Sequence, residues 1–290
     1  MNTHNAQDKV MACVDQSHFS DHVADYAAWA ARRLTAPLEF LHVIDHHPEI
    51  GSSQDHSGAI GVDAQEKLLG QLSSEDEMRT KAAREQGRIF LNRLRERAIA
   101  AGGHSVDVRQ RHGELAETLA EQESGVRMIV LGRRGESAEH SQRDIGRNVE
   151  RVVRALHKPI LTVTADFKEP QRVMIAFDGG IVTRRGVEMV AASPLFRALP
   201  VHLLMSGKES KEACKQLEWA TTTLTAAGFS APAALIPGDA ESVIARTVGE
   251  QSIDLLIMGA YSHSPLRSLF FGSKTADLLR SATIPTLLLR

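Results

Sequence analysis

Three things are scarce in this chain, and each shortage excludes a class of function. It has two cysteines in 290 residues, no apolar run near the roughly 20 residues a membrane-crossing helix needs, and almost no net charge. Cys13 falls in a strand pattern and Cys214 in a helical one. They make no metal-type spacing, which fits a reducing compartment. With 34 Lys and Arg against 36 Asp and Glu there is no global field to attract nucleic acid or anionic lipid, so recognition must be local. The opening "MNTHNAQDKV" lacks the basic and apolar regions of a secretory signal. A soluble, cytoplasmic protein is expected.

What the chain does have is an internal repeat. "KVMACVDQS" opens the first half and "RVMIAFDGG" the second, each an apolar strand ending in Asp, Asp15 and Asp178. Further on, "VDVRQRHGELAETLAEQESGVRMIVLGRRGE" faces "APAALIPGDAESVIARTVGEQSIDLLIMGAY", which sets Gly113 opposite Gly238 and Gly132 opposite Gly259. Helical patterns lie between these landmarks, and two of them stop at Gly. Each half closes with a helix and a Pro-led apolar strand, "HKPILTVT" and "TIPTLLLR".

Each half therefore reads β-α-β-α-β-α-β-α-β. Because parallel strands need crossovers, the expected architecture is α/β: two tandem Rossmann-like domains, each a five-stranded parallel sheet with helices on both faces. The domains are expected at 1–166 and 171–290, joined near "TADFKEPQ". Residues 45–76 have no counterpart in the second half and are polar and Gly/Ser-rich, so an inserted loop or lid is expected there.

In an open parallel sheet, ligands settle beyond the carboxyl ends of the strands where strand order reverses. Asp15, Asp178 and the turns after "MIVLG" and "LLIMG" should lie at that edge. Glycine lets the backbone approach a phosphate, and a following helix presents free N–H groups to it. After Gly259 come two residues and Ser262, then nine residues and the pair Gly272-Ser273. Ordinary turn glycines with a helix cap would give the same spacing, so both readings stand at this point.

These residues give the whole chain a resemblance to tandem members of the universal stress protein family. Nucleotide-binding members carry Gly, two residues, Gly, nine residues, Gly, then Ser or Thr. The second half matches as "GAYSHSPLRSLFFGS", with Ser262 in place of the second Gly. If that Gly supplied a positive φ, Ser strains the loop by roughly 1 kcal/mol or more; if it supplied only closeness, the hydroxyl substitutes for it. In the first half Gly132 and Gly135 keep the initial pair, but ten residues precede Gly146 and Arg147 stands where Ser or Thr is expected. That side chain either blocks the phosphate path or adds charge to it.

The resemblance implies an ATP site in the second half, with Mg2+ as a companion ion. Asp178 would contact the adenine or ribose, Gly238 would pass near the nucleoside, and Gly259, Ser262, His263, Gly272 and Ser273 would surround the phosphates. Weaker equivalents in the first half are Asp15, Gly113, Gly132, Gly135 and Gly146. The resemblance also implies that the closing strands pair, making an internal pseudo-dimer, with further homodimerisation and a protein partner left open.

No Walker-type Gly-Lys-Ser/Thr stretch or evident base is present, so at most slow hydrolysis is expected, and the chain reads as a switch more than as an enzyme. A nucleotide-independent scaffold with degenerate sites is the competing reading, favoured by Ser262 and Arg147. His42, His46 and His47 form a loose cluster that lacks the rigid spacing of a zinc site, and no metal is expected there. "RNVERVVR" sets Arg147, Arg151 and Arg154 at helical spacing, read as a solvated face paired with acids such as Glu150.

Overall fold

The computed structural model describes the backbone of residues 8–44, 62–133, 147–164, 166–260 and 282–290, and the side chains of these except 62–77, 79, 80, 147 and 148. The first half runs β1 (Lys9–Cys13), α1 (Ser20–Leu34), β2 (Leu38–Ile44), α2 (Val62–Ala100), β3 (Val106–His112), α3 (Leu115–Gln122), β4 (Val126–Gly132), α4 (Arg147–Ala155) and β5 (Ile160–Val163). The second runs β6 (Val173–Ala176), α5 (Ile181–Ala192), β7 (Val201–Ser206), α6 (Lys211–Ala226), β8 (Ala233–Ile236), α7 (Ala240–Glu250), β9 (Leu255–Gly259) and β10 (Thr286–Leu289). Of the last helical pattern, "SKTADLLRSAT", residues 273–281 lie outside the described residues.

The ten strands form one sheet in the order β3-β2-β1-β4-β5-β10-β9-β6-β7-β8. Every pairing within a half is parallel. The halves meet at a single antiparallel pairing, with Leu161 of β5 opposite Leu287 of β10. Two apolar closing strands thereby cover each other, which removes the edge that each five-stranded sheet alone would expose.

Strand alternation sorts the core into two layers. Val10, Ala12, Leu38 and Phe40 face α1 and meet Tyr26 and Trp29; Met11, Cys13 and Leu41 face the other way and meet Leu119 and Val152. Both layers run on into the second half, the first through Phe177, Phe196 and Leu203 and the second through Met174, Leu204 and Met258. Each buried Val, Leu, Met or Phe among these contributes about 1.5–3 kcal/mol relative to exposure. Helices α2 and α6 stop before Gly102 (φ 92°) and Gly228 (φ 88°), left-handed positions that suit glycine.

One expectation needs correction. Helix α2 begins at Val62, so residues 62–76, expected as part of the inserted loop, are helical. "VDAQEKLLGQLSSEDE" is rich in good helix formers, with Gly70 the single breaker; its Ser and Asp content suggested a loop that propensity summed over the window does not favour. Residues 45–61 lie outside the described residues, so the lid is not described.

The linker between halves is tied down by Asp254, a buried carboxylate just before β9. Its Oδ2 accepts from the amides of Gln171 and Arg172, each at 3.1 Å, while Oδ1 pairs with Lys168 Nζ. Tyr26 of α1 accepts from the Lys168 amide at 3.3 Å and packs its ring edge to face with Phe167, 4.8 Å between centroids. Arg33 Nε of α1 donates to the Leu195 carbonyl at 2.9 Å, another tie across the halves. Among the described residues, no helix is long and apolar enough to cross a membrane.

Candidate functional site

At the carboxyl edge of the second half, β6 leads into Phe177 and Asp178, β8 is followed by Gly238, and β9 ends at Gly259. β6 lies between β7 and β9, so the chain leaves it on one side and returns on the other: this is the switch point of an open α/β sheet.

Asp178 closes its own turn. Its Oδ1 accepts from the Gly180 amide at 2.8 Å and from Thr183 Oγ1 at 2.6 Å, and Gly180 is the N-cap residue of α5. Among the described residues no hydrogen bond to Oδ2 is seen, and the residue is exposed, so one carboxylate oxygen is left open to solvent at the strand end. Gly179 adopts φ 74°, and a Cβ there would lie 1.8 Å from Gln216 Oε1. The left-handed conformation is what favours glycine here, since the Gln216 side-chain end could move aside.

At Gly259 the packing is close. A Cβ on it would sit 3.3 Å from Val182 Cγ1 and 3.4 Å from Thr183 Cγ2, against the first turn of α5. Gly238 is needed for conformation: φ is 143°, and a Cβ would come within 2.9 Å of Val243 Cγ2. Next to it Asp239 Oδ2 accepts from the amides of Glu241 at 3.1 Å and Ser242 at 3.3 Å. The start of α7 is thus capped by its own carboxylate and offers little to a phosphate.

The first half repeats this frame with different chemistry. Asp15 Oδ1 accepts from the Ser17 amide at 3.2 Å, from Ser20 Oγ at 3.2 Å and from the Ser17 hydroxyl. Gly113 has φ 133°, matching Gly238, but the atom nearest its would-be Cβ is Thr118 Oγ1 at 3.8 Å. Gly132 ends β4 as Gly259 ends β9. Two residues before Asp15, the Cys13 thiol is pushed up to about 12 by burial and is inert near neutral pH.

The structure brings together Asp178, Gly238 and Gly259 on one edge, and Asp15, Gly113 and Gly132 on the other. Ser262, His263, Gly272 and Ser273, like Gly135 and Gly146, lie outside the described residues; Arg147 opens α4. His42 is buried in β2, with Nδ1 3.0 Å from the Val14 carbonyl and its ring edge on Phe90, while His46 and His47 are outside the described residues. No group of three His, Cys, Asp or Glu suited to a metal occurs among the described residues. Arg154 pairs with Glu150 at 2.7 Å and Arg151 pairs with Glu114, a solvated face as expected.

Sequence reasoning missed the hydroxyl that holds each aspartate. A Ser or Thr five residues after the Asp occurs in both halves, Ser20 and Thr183, and this shared offset was the available signal.

The model of the Universal stress protein family matches residues 7–164 and again 184–290. The chain belongs to the Universal stress protein family. A universal stress protein of Synechocystis sp. is 34% identical over 284 residues, covering 97% of this chain and 99% of that relative. In structure, the chain resembles a universal stress protein from Archaeoglobus fulgidus with a TM-score of 0.72 at 16% identity, over 98% and 97% of the two chains. It also resembles a Pseudomonas aeruginosa chain with a TM-score of 0.62 at 15% identity, over 98% and 93%. Such distant structural likeness bears on the fold alone. Both halves of this universal stress protein carry the family's core, and they differ at the edge where ligands would bind.

Proposed function

We propose that this universal stress protein binds ATP or a related adenine nucleotide in its second half and acts as a regulatory switch, with at most slow hydrolysis. The observation that carries the reading is the Asp178 turn. It is built on Gly179 and Gly180, leaves one carboxylate oxygen open to solvent, and is bonded to Thr183, which packs on Gly259 at the switch point of the sheet.

The chemistry fits a nucleoside. A carboxylate fixed on one oxygen accepts from a ribose hydroxyl or an adenine amino group with the other, and the glycine at the strand end lets the first turn of α5, which carries Thr183, pack close beside it. The phosphates fall to the stretch that carries Ser262, His263, Gly272 and Ser273, with Mg2+ beside them. In this reading residues 1–166 and 171–290 are the two domains, the setting is cytoplasmic, and occupancy changes affinity for a protein partner. That last step requires the nucleotide to favour one of two conformations.

The test is mass spectrometry of small molecules released on denaturing protein purified without added nucleotide, together with calorimetric titration by ATP and magnesium of wild type and Gly272→Trp. Released or bound ATP that the substitution abolishes supports the reading. No nucleotide and no heat at millimolar ATP would leave a nucleotide-independent scaffold.

A further inference from the structure

The Asp178 turn is gripped from behind by residues that play no part in the site as described so far. Arg184, on the first turns of α5, donates from Nε to the Gly179 carbonyl at 3.0 Å. Its guanidinium carbon lies 4.9 Å from the centroid of the Trp219 ring on α6. Trp219 in turn stacks on Phe177, with centroids 6.4 Å apart and planes 24° from parallel. Both neighbours of Asp178 in the chain are therefore held by one Arg-Trp pair, Gly179 by a hydrogen bond and Phe177 by stacking. Gln216, one turn before Trp219, closes on Gly179 from the same helix.

The grip matters because Gly179 sits at φ 74°, a conformation that glycine leaves readily. An unheld glycine turn would let the carboxylate wander, and every ligand contact it makes would pay the ordering entropy again. Among the described residues the first half lacks the device. The residue six after its aspartate is Asp21, which pairs with Arg93 at 2.7 Å and turns toward α2.

We propose that Arg184 is a positioning residue for the adenine-nucleotide site, acting through Asp178, and that Trp219 reports occupancy of that site. The proposal rests on the nucleotide reading above. Arginine suits the role because its planar guanidinium stacks on an indole and donates in its own plane at once; lysine does one or the other.

The experiment is a double-mutant cycle on the full chain, with ATP and magnesium as the probe. Affinity is read by calorimetry and occupancy by tryptophan fluorescence, for wild type, Arg184→Gln, Asp178→Asn and the double variant. Arg184→Gln is expected to weaken ATP binding about tenfold, and to weaken it no further once Asp178 is Asn. Arg184→Lys should recover part of the loss, and Trp219→Phe should remove most of the fluorescence change on binding.

Equal affinity for wild type and a folded Arg184→Gln overturns the proposal. So does a full tenfold loss in the Asp178→Asn background, the pattern of a generally loosened domain. A flat titration of wild type refutes the nucleotide reading itself, and this inference with it. Should Arg184→Gln fail to fold, Arg184→Lys carries the same cycle, and unchanged affinity in it, with the fluorescence response intact, counts against the role.

Discussion

The two halves share a frame and differ in what they leave free. In both, an aspartate at the end of the first strand accepts from the amide two residues on and the hydroxyl five residues on. In the first half a further hydroxyl, Ser17, also bonds the carboxylate, and Asp15 is partly buried. In the second half glycines replace Gln16 and Ser17, Asp178 is exposed, and the turn is braced by Arg184 and Trp219. The same hydrogen bonds thus serve two ends. Each turn uses one amide and the hydroxyl five residues on; the extra Ser17 hydroxyl closes the first turn further upon itself, while the second lacks it and has an outside brace instead.

The difference extends along the sheet. At the start of the fourth strand of each half, Arg127 corresponds to Asp254, the carboxylate that binds the linker. On the second strand, Glu39 corresponds to His202. Glu39 is buried between Lys9 at 2.9 Å and Arg109 at 3.0 Å. His202 has its pKa lowered by burial and by Arg172.

These contrasts can be broken in order of size. Asp254→Ala should have the largest effect, about 2–3 kcal/mol, because it removes the buried carboxylate that accepts from two linker amides, whereas the exposed Lys168 side chain is simply rehydrated. Arg127→Ala should change stability by less than about 0.5 kcal/mol. Denaturant titration of the two variants checks the ratio.

Next come the matched glycines. Gly238→Val should cost about 2–3 kcal/mol, combining left-handed strain with the close Val243 methyl, whereas Gly113→Val should cost about 1–2 kcal/mol, since only the strain applies. Equal losses in the same titration would mean that packing behind the second-half turn is not the tighter of the two.

The smallest effect concerns pH. The folded pKa of His202 lies below its unfolded value near 6.5, so between the two the folded chain binds fewer protons than the unfolded one. Stability contributed by the neutral ring is present above that unfolded value and is lost as pH falls through the window. The slope of stability against pH in that range should shrink in His202→Leu, and an unchanged slope would assign it to other groups.

Much of the fold was legible because it is repeated: the apolar strands, the Asp ends and the glycine stops recur at matching positions, and parallel strands joined by helices admit few arrangements. The helical start of α2 was hidden by a polar composition that Ser, Asp and a lone Gly gave it. Of the candidate site, Asp178, Gly238 and Gly259 were legible as strand-end residues. Thr183 and Arg184 were not, because their contacts cross a tight turn and follow neither the helix nor the strand period. Asp254 was hidden for a related reason: its partners lie 82 to 86 positions away in the chain.

The most direct test of the asymmetry is the stoichiometry of ATP-magnesium binding by calorimetry in wild type, Asp15→Asn and Asp178→Asn. One site per chain is predicted, unchanged by Asp15→Asn and weakened at least about tenfold by Asp178→Asn, the scale of a lost charge-assisted hydrogen bond. Two sites per chain, or a site lost with Asp15 and kept without Asp178, would contradict the account.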